Sequence, residues 1–283
     1  MADDASALSV VTDDGVTLAG EESGAGPAIV LLHGLTATRR YVVMGSRTLE
    51  RSGHRVIAYD ARGHGRSAPA PTPDAYGYEL LGADLRAVLD AAGVQRALLA
   101  GASMGAHTAM RFALEHPGRV AALAIITPAF DPSAPRDEAE LARWDALARG
   151  LREGGIDGFV HAYDLGKVPE SLRPTIETVL RQRLAGHEHP GAVADALEVV
   201  PRSRPFERIE QLASIQMPTV VVASRDDADP GHPLAVGEAY ARAIPGARLV
   251  VEEARVDGHP IPSPIAWQGG QLSRVLAELA ARS

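Results

Sequence analysis

No cysteine occurs among the 283 residues. Disulfides, thiolate nucleophiles and cysteine-ligated zinc or iron–sulfur sites are therefore excluded, and the chain suits a reducing compartment. Aromatic residues are scarce, at 4%, which gives little reason to expect an aromatic ligand. No apolar run approaches the roughly 18 residues of a membrane span. The opening MADDASALSV carries acid where a secretory leader carries base, and no apolar stretch follows it. A cytoplasmic protein without membrane contact is expected. Positive charge is in deficit too: 28 Lys and Arg against 36 Asp and Glu leave a net charge of −8. That argues against nucleic acid or an anionic membrane surface as partner. No G-x-G-x-x-G follows a strand-like run and no P-loop is present, so nothing supports a nucleotide cofactor.

What the chain has is apolar content, 46% hydrophobic, arranged in alternating patterns. "SVVT" and "VTLAGEE" read as a short antiparallel start around Asp13-Asp14-Gly15. "PAIVLLHG", "HRVIAYD", "RALLAGA" and "AALAIITPAF" are continuous β-rich runs of the kind buried on both faces of a sheet. Between them lie helical patterns, one near 40–52 and one placing Leu81, Leu85, Val88 and Leu89 on a single face. From about residue 131 to 205 only helical patterns appear, with stripes at Leu141, Trp144, Leu147 and Leu151 and at Ile176, Val179, Leu180 and Leu184. Alternation then resumes through the helix "FERIEQLASI", the strand "PTVVVAS", the helix "PLAVGEAYARAI", the strand "ARLVVEE" and a last helix bearing Leu272, Val275, Leu276 and Leu279. The expected fold is α/β: a mostly parallel sheet, helices on both faces, and one helical insertion over the carboxyl ends of the strands.

Gly101-Ala102-Ser103-Met104-Gly105 joins the run "ALLAGA" to a helical pattern ending at His116-Pro117-Gly118. A serine hydroxyl is a poor nucleophile until a base takes its proton and donors stabilise the oxyanion. A sharp strand-to-helix turn projects the hydroxyl out of the sheet and sets backbone N–H groups at a helix N-terminus. Small residues around the serine suit that crowding. The alternative is a serine that merely caps the helix.

Three further segments extend the pattern. "IVLLHGLTAT" resembles the His-Gly turn after the third strand of α/β-hydrolase-fold proteins, and "AYDARGHGRSAP" is similar to that family's D-x-R-G-x-G-x-S loop. "PTVVVASRDDADPGHP" resembles the strand and loop that carry its catalytic acid. Order and spacing match over nearly the whole chain, with lidded esterases, enol-lactonases and cofactor-free haloperoxidases as the nearest kinds. The resemblance implies an eight-stranded sheet, a core of residues 1–130 and 206–283, and a helical lid over 131–205.

It also implies roles. Ser103 is the nucleophile, and the N–H groups of Leu35 and Met104 form the oxyanion hole. The base belongs after the last strand, where His259 is the leading candidate; the longer loop and the prolines at 260 and 262 depart from the family pattern. Its rival is His232, in Asp229-Pro230-Gly231-His232-Pro233. For the acid, counting from the strand selects Asp227 and counting back from Pro233 selects Asp229, which the D-x-x-x-P spacing favours; Asp226 reads as a solvated neighbour. His33 reads as a turn-pinning residue, and Asp60, Arg62 and Ser67 as a hydrogen-bonded brace. His187 and His189, two apart on a helix, do not face one metal, so neither metal nor cofactor is expected. Trp144, Phe159, Tyr163, Leu165 and Val168 are candidates to line the pocket. Serine rather than aspartate at position 103 argues against haloalkane or epoxide chemistry. A moderately apolar small-molecule ester or lactone is the expected substrate; perhydrolase chemistry at the same triad, or ligand binding without turnover, remain open.

Overall fold

Asp13 and Asp14 turn the chain back on itself. β1 (Ser6–Val11) and β2 (Thr17–Ser23) pair antiparallel across them, with Val11 opposite Thr17. The apolar runs then form β3 (Ala28–Leu32), β4 (Arg55–Tyr59), β5 (Ala97–Ala102), β6 (Val120–Ile126), β7 (Thr219–Val222) and β8 (Arg248–Val250). This computed structural model describes residues 5–135 and 137–282. Among them, one 8-stranded sheet runs in the order β1-β2-β4-β3-β5-β6-β7-β8. β2 is antiparallel to β4, and every pairing from there to β8 is parallel.

The helices are α1 (Thr48–Arg51), α2 (Tyr78–Ala91), α3 (Met104–Glu115), α4 (Glu138–Ala162), α5 (Arg173–Leu184), α6 (Pro190–Val199), α7 (Leu234–Ala243) and α8 (Gly269–Ala280). Strand side chains alternate between two cores, as the two-residue period demands. Val30, Leu32, Leu99, Leu123 and Val221 face α2, α3 and α7, meeting Leu85, Ala109, Phe112 and Tyr240. Ile29, Leu31, Leu98, Val220 and Val222 face α1 and α8, meeting Leu49, Leu272, Val275 and Leu276. No described helix is long and apolar enough to cross a membrane.

Two elements differ from expectation. The helix expected over 40–52 is a 3-10 turn (Arg39–Tyr41) and the single turn α1, because Met44 and Gly45 between them take φ of 50° and 72°. "FERIEQLASI" forms only a 3-10 segment, Ile209–Ser214.

Between β6 and β7, helices α4 to α6 make a third apolar cluster. Leu147, Leu151, Phe159, Leu180, Leu184 and Leu197 pack there with Leu35, Tyr78 and Met104 from the sheet domain. Trp144 and Tyr163 pack at its margin, whereas Phe159 and Val168 are buried. His187, just past α5, ties this insertion to the loops beyond β3 and β4: its Nδ1 accepts from Gly65 N (2.8 Å) and its Nε2 lies 3.2 Å from Thr36 O.

Asp60 and Arg62 do not pair with each other. Asp60 accepts from the Arg39 guanidinium and from Arg39 N and Arg66 N, at 2.8 and 3.1 Å for the two backbone donors. Arg62 donates to both Asp84 oxygens (2.8 and 2.6 Å) and to Asp14 (2.8 Å), while Ser67 Oγ donates to Asp60 O (2.6 Å). Arg62 and Asp84 are each 1% exposed. Removing one partner of a buried pair leaves an uncompensated charge, at a cost of about 3–5 kcal/mol. Arg62→Met is expected to lower unfolding free energy by about that much, read as a reduced urea midpoint.

Candidate active site

Ser103 occupies the sharp turn between β5 and α3, with φ 51° and ψ −113°. For a residue bearing a Cβ that conformation costs of order 1–3 kcal/mol and needs surrounding structure to hold it. The crowding is real: a Cβ on Gly101 would sit 2.1 Å from Gly105 O, and one on Gly105 would sit 2.2 Å from Leu32 O. Ser103 N donates to Ile126 O at 2.9 Å, fixing the turn to the end of β6. The side chain makes no capping hydrogen bond to α3, so the helix-cap alternative does not describe it.

Its hydroxyl instead faces an imidazole. His232 Nε2 lies 3.0 Å from Ser103 Oγ, and His232 Nδ1 lies 3.0 and 2.9 Å from the two Asp229 carboxylate oxygens. The carboxylate on Nδ1 calls for a proton there, which leaves Nε2 free to accept from the serine hydroxyl. Asp229 and His232 stand at the ends of one turn, closed by His232 N donating to Asp229 O at 3.1 Å. Pro230 presets the backbone at the second position of that turn. Both side chains therefore leave the loop on the same side.

The expectation for His259 is corrected here: the ring beside Ser103 belongs to His232. His259 is exposed in the irregular stretch after β8, with its N–H donating to Val256 O at 3.0 Å. Pro260, Pro262 and Pro264 lack N–H groups, which removes three of the donors a strand or helix here would use. The loop after β7, in which the two counts left the acid ambiguous, also carries the histidine. Of the two aspartates, Asp229 reaches the imidazole; Asp227 makes no hydrogen bond to it among the described residues. Asp226 is exposed and accepts from Leu234 N at 2.8 Å, capping α7. The sequence signal was D-P-G-H, an acid and an imidazole three apart across a turn.

The backbone of the His33-Gly34-Leu35 turn lies against the serine: a Cβ on Gly34 would stand 3.5 Å from Ser103 Cβ. Among the described residues, the N–H groups of Leu35 and Met104 meet no protein acceptor. Histidines hold this turn from behind. His33 Nε2 accepts from Ala61 N (2.9 Å) and its Nδ1 faces Gly34 O (2.8 Å), while His64 Nε2 lies 2.6 Å from Leu35 O. Burial pushes the pKa of His33 down to about 3, so it is neutral there. On α3, one turn beyond the serine, His107 bonds Tyr78 Oη at 3.0 Å and accepts from Ala129 N and Phe130 N. Burial lowers its pKa to about 3 as well. Its neutral ring anchors the chain where it enters the helical insertion.

Burial works against protonation of His232, but the charge and hydrogen bonds of Asp229 outweigh it and hold the imidazole above its ordinary 6.5; Arg183 pulls the other way. A groove of about 810 Å³ lies elsewhere, lined by Asp145, Arg149, Arg152, Glu198 and Arg202. In it Arg152 meets Asp195 and Glu198 at 2.6 Å each and Arg202 meets Asp145 at 2.8 Å. His187 is engaged with Gly65 and Thr36 while His189 is exposed, so the two do not converge. Among the described residues no cluster of three or more His, Asp or Glu is placed to hold a metal ion.

A strained serine at a strand-to-helix elbow, on a sheet of this order, defines a class. The family profile of the α/β hydrolase fold matches residues 27–162. The 2-hydroxy-6-oxononadienedioate/2-hydroxy-6-oxononatrienedioate hydrolase 2 of Pseudomonas putida is 33% identical over 211 residues, covering 70% of this chain and 71% of that one. The chain belongs to the α/β-hydrolase fold family. A hydrolase from Pseudomonas aeruginosa is similar at 27% identity and TM-score 0.71, covering 99% of this chain and 98% of the other. A thermophilic esterase from Thermogutta terrifontis shares the fold at TM-score 0.77 and 24% identity, with 98% of each chain covered.

Proposed function

We propose that this protein is a serine hydrolase that cleaves a small-to-medium carboxylic ester or lactone through an acyl-enzyme on Ser103. The observation that carries the reading is the unbroken chain from Asp229 through His232 to Ser103, with contacts of 2.9 and 3.0 Å. His232 Nε2 takes the hydroxyl proton as Ser103 Oγ attacks the carbonyl carbon. Asp229 holds the Nδ1–H tautomer and balances the imidazolium that results. The N–H groups of Leu35 and Met104 receive the oxyanion, each such donor being worth about 10²–10³ in rate. The imidazolium then protonates the departing alcohol oxygen. Water, deprotonated by the same ring, resolves the acyl-enzyme. Residues 131–205 act as the lid, and 1–130 with 206–283 as the catalytic core.

Only neutral His232 can act as the base, and Asp229 raises its pKa. In wild-type protein kcat/KM should therefore rise with pH through a midpoint above 6.5. Asp229→Asn removes the charge that sustains the raised value. It is expected to move that midpoint downward and to lower kcat by about 10³–10⁴, as measured by a pH profile of initial rates.

A fluorophosphonate should label Ser103, and p-nitrophenyl acetate should give a burst of nitrophenol equal to the enzyme concentration. Folded protein showing neither label nor burst would overturn the reading and favour ligand binding without turnover.

A further inference from the structure

Arg183 closes the last turn of α5 with no carboxylate of its own. Its Nε is shut off from solvent without a hydrogen-bond partner, and among the described residues none of its nitrogens forms an ion pair. That sets it apart from the neighbouring insertion arginines Arg152, Arg181 and Arg202, each of which meets an Asp or Glu at 2.5–2.8 Å. Arg183 is only partly exposed, and a guanidinium with Nε buried and no ion-pair partner is costly unless something anionic meets it.

Its surroundings are those of the site. The guanidinium carbon stands 5.4 Å from the centre of the Tyr41 ring, in the loop that follows Leu35. The turn after Arg183 is held to that loop by His187, which reaches Thr36 O, and by Gly186, where a Cβ would lie 3.2 Å from the Thr38 methyl. The next residue, Leu184, packs in the cluster that holds Leu35 and Met104. Tyr163, from the end of α4, packs against the same cluster as Leu184, and the charges of Asp229 and Arg183 both act on its half-buried hydroxyl. Neither the Tyr41 nor the Tyr163 hydroxyl has a protein hydrogen-bond partner among the described residues.

We infer that Arg183, with the hydroxyls of Tyr41 and Tyr163, binds a carboxylate on the acyl or alcohol portion of the substrate, so that the preferred ester or lactone is a monoanion. The inference rests on Ser103 hydrolysis for its kinetic expression. A guanidinium offers a planar fork that matches two carboxylate oxygens, and tyrosine hydroxyls add neutral donors without further charge. The charge count selects a carboxylate over a phosphate monoester. One cation balances one negative charge, and a second would repel Asp229, which shares the same surround. The Tyr41 ring face attracts the guanidinium and helps hold it in place.

The test compares monomethyl adipate with methyl hexanoate, which have the same chain and differ by carboxylate against methyl. Wild-type kcat/KM should favour the hemiester by about ten- to hundredfold, mostly through KM, as expected for a charge-assisted contact. Arg183→Gln should bring the ratio close to one, and Arg183→Lys should restore part of it. Arg183→Gln should also raise the midpoint of the acid limb, because a cation that lowers the His232 pKa has gone. Equal rates for the two esters, or a preference that survives Arg183→Gln, would overturn the inference. Failure of hydrolysis itself is read separately. In Ser103→Ala, calorimetry should show monomethyl adipate binding about tenfold or more tighter than methyl hexanoate, and the added Arg183→Gln change should abolish the difference. Preference in that assay without any turnover would retain the carboxylate site and discard the hydrolase; turnover without preference would do the reverse.

Discussion

His232→Gln is expected to lower kcat by about 10⁴-fold or more, whereas His259→Gln stays within about twofold. The asymmetry follows from position. The imidazole of His232 is 3.0 Å from the serine oxygen and held by a carboxylate, while His259 is exposed on a strand-free stretch. A base that has lost its ring leaves the hydroxyl at its ordinary, unreactive pKa, and the oxyanion donors alone support only residual turnover. Circular dichroism and the urea midpoint should be near wild type in both variants, so the contrast reports chemistry. A large loss in His259→Gln together with a small one in His232→Gln would reverse the assignment. Steady-state rates with p-nitrophenyl acetate suffice to decide it.

Ser103→Ala and Ser103→Gly should both reduce kcat by about 10⁴-fold or more and abolish fluorophosphonate labelling. They should differ in stability in an unusual direction. In an ordinary structured segment glycine is about 0.5–1 kcal/mol less stable than alanine. At position 103 the backbone is held at φ 51°, where any Cβ carries strain of about 1–3 kcal/mol. Glycine is relieved of it, so Ser103→Gly should equal or exceed Ser103→Ala by up to about 1 kcal/mol. Thermal melts of the two variants measure the difference directly. An alanine variant clearly more stable than the glycine variant would mean that the elbow is relaxed and that the hydroxyl is not held out by strain.

Much of this architecture was legible along the chain because it is written in short-range patterns. The runs of Ile, Val and Leu in β3 to β7 exist because those strands are covered on both faces, and the stripes of α4 and α5 exist because one face of each is buried. Gly101 and Gly105 flank Ser103 because backbone passes within about 2 Å of where their Cβ atoms would be. These are local consequences of contacts, and they survive in one dimension. The departures were local too. Met44 and Gly45 break the helix expected over 40–52, and nothing in the hydrophobic period announces a positive φ.

Hydrophobic periodicity was enough to anticipate the α/β sheet and the helical stretch between β6 and β7, and the Gly101-to-Gly105 motif the serine at the turn, since each depends on residues within a few positions of one another. The partner of that serine is 129 positions away, and no spacing rule chooses between two histidines on separate loops. Folding chose, by closing Asp229 and His232 into one turn at the carboxyl edge of β7 and sending the proline-rich stretch around His259 over the surface. The solitary charge of Arg183 is likewise invisible in sequence, because whether an arginine has a partner depends on which carboxylates packing brings within 4 Å of it.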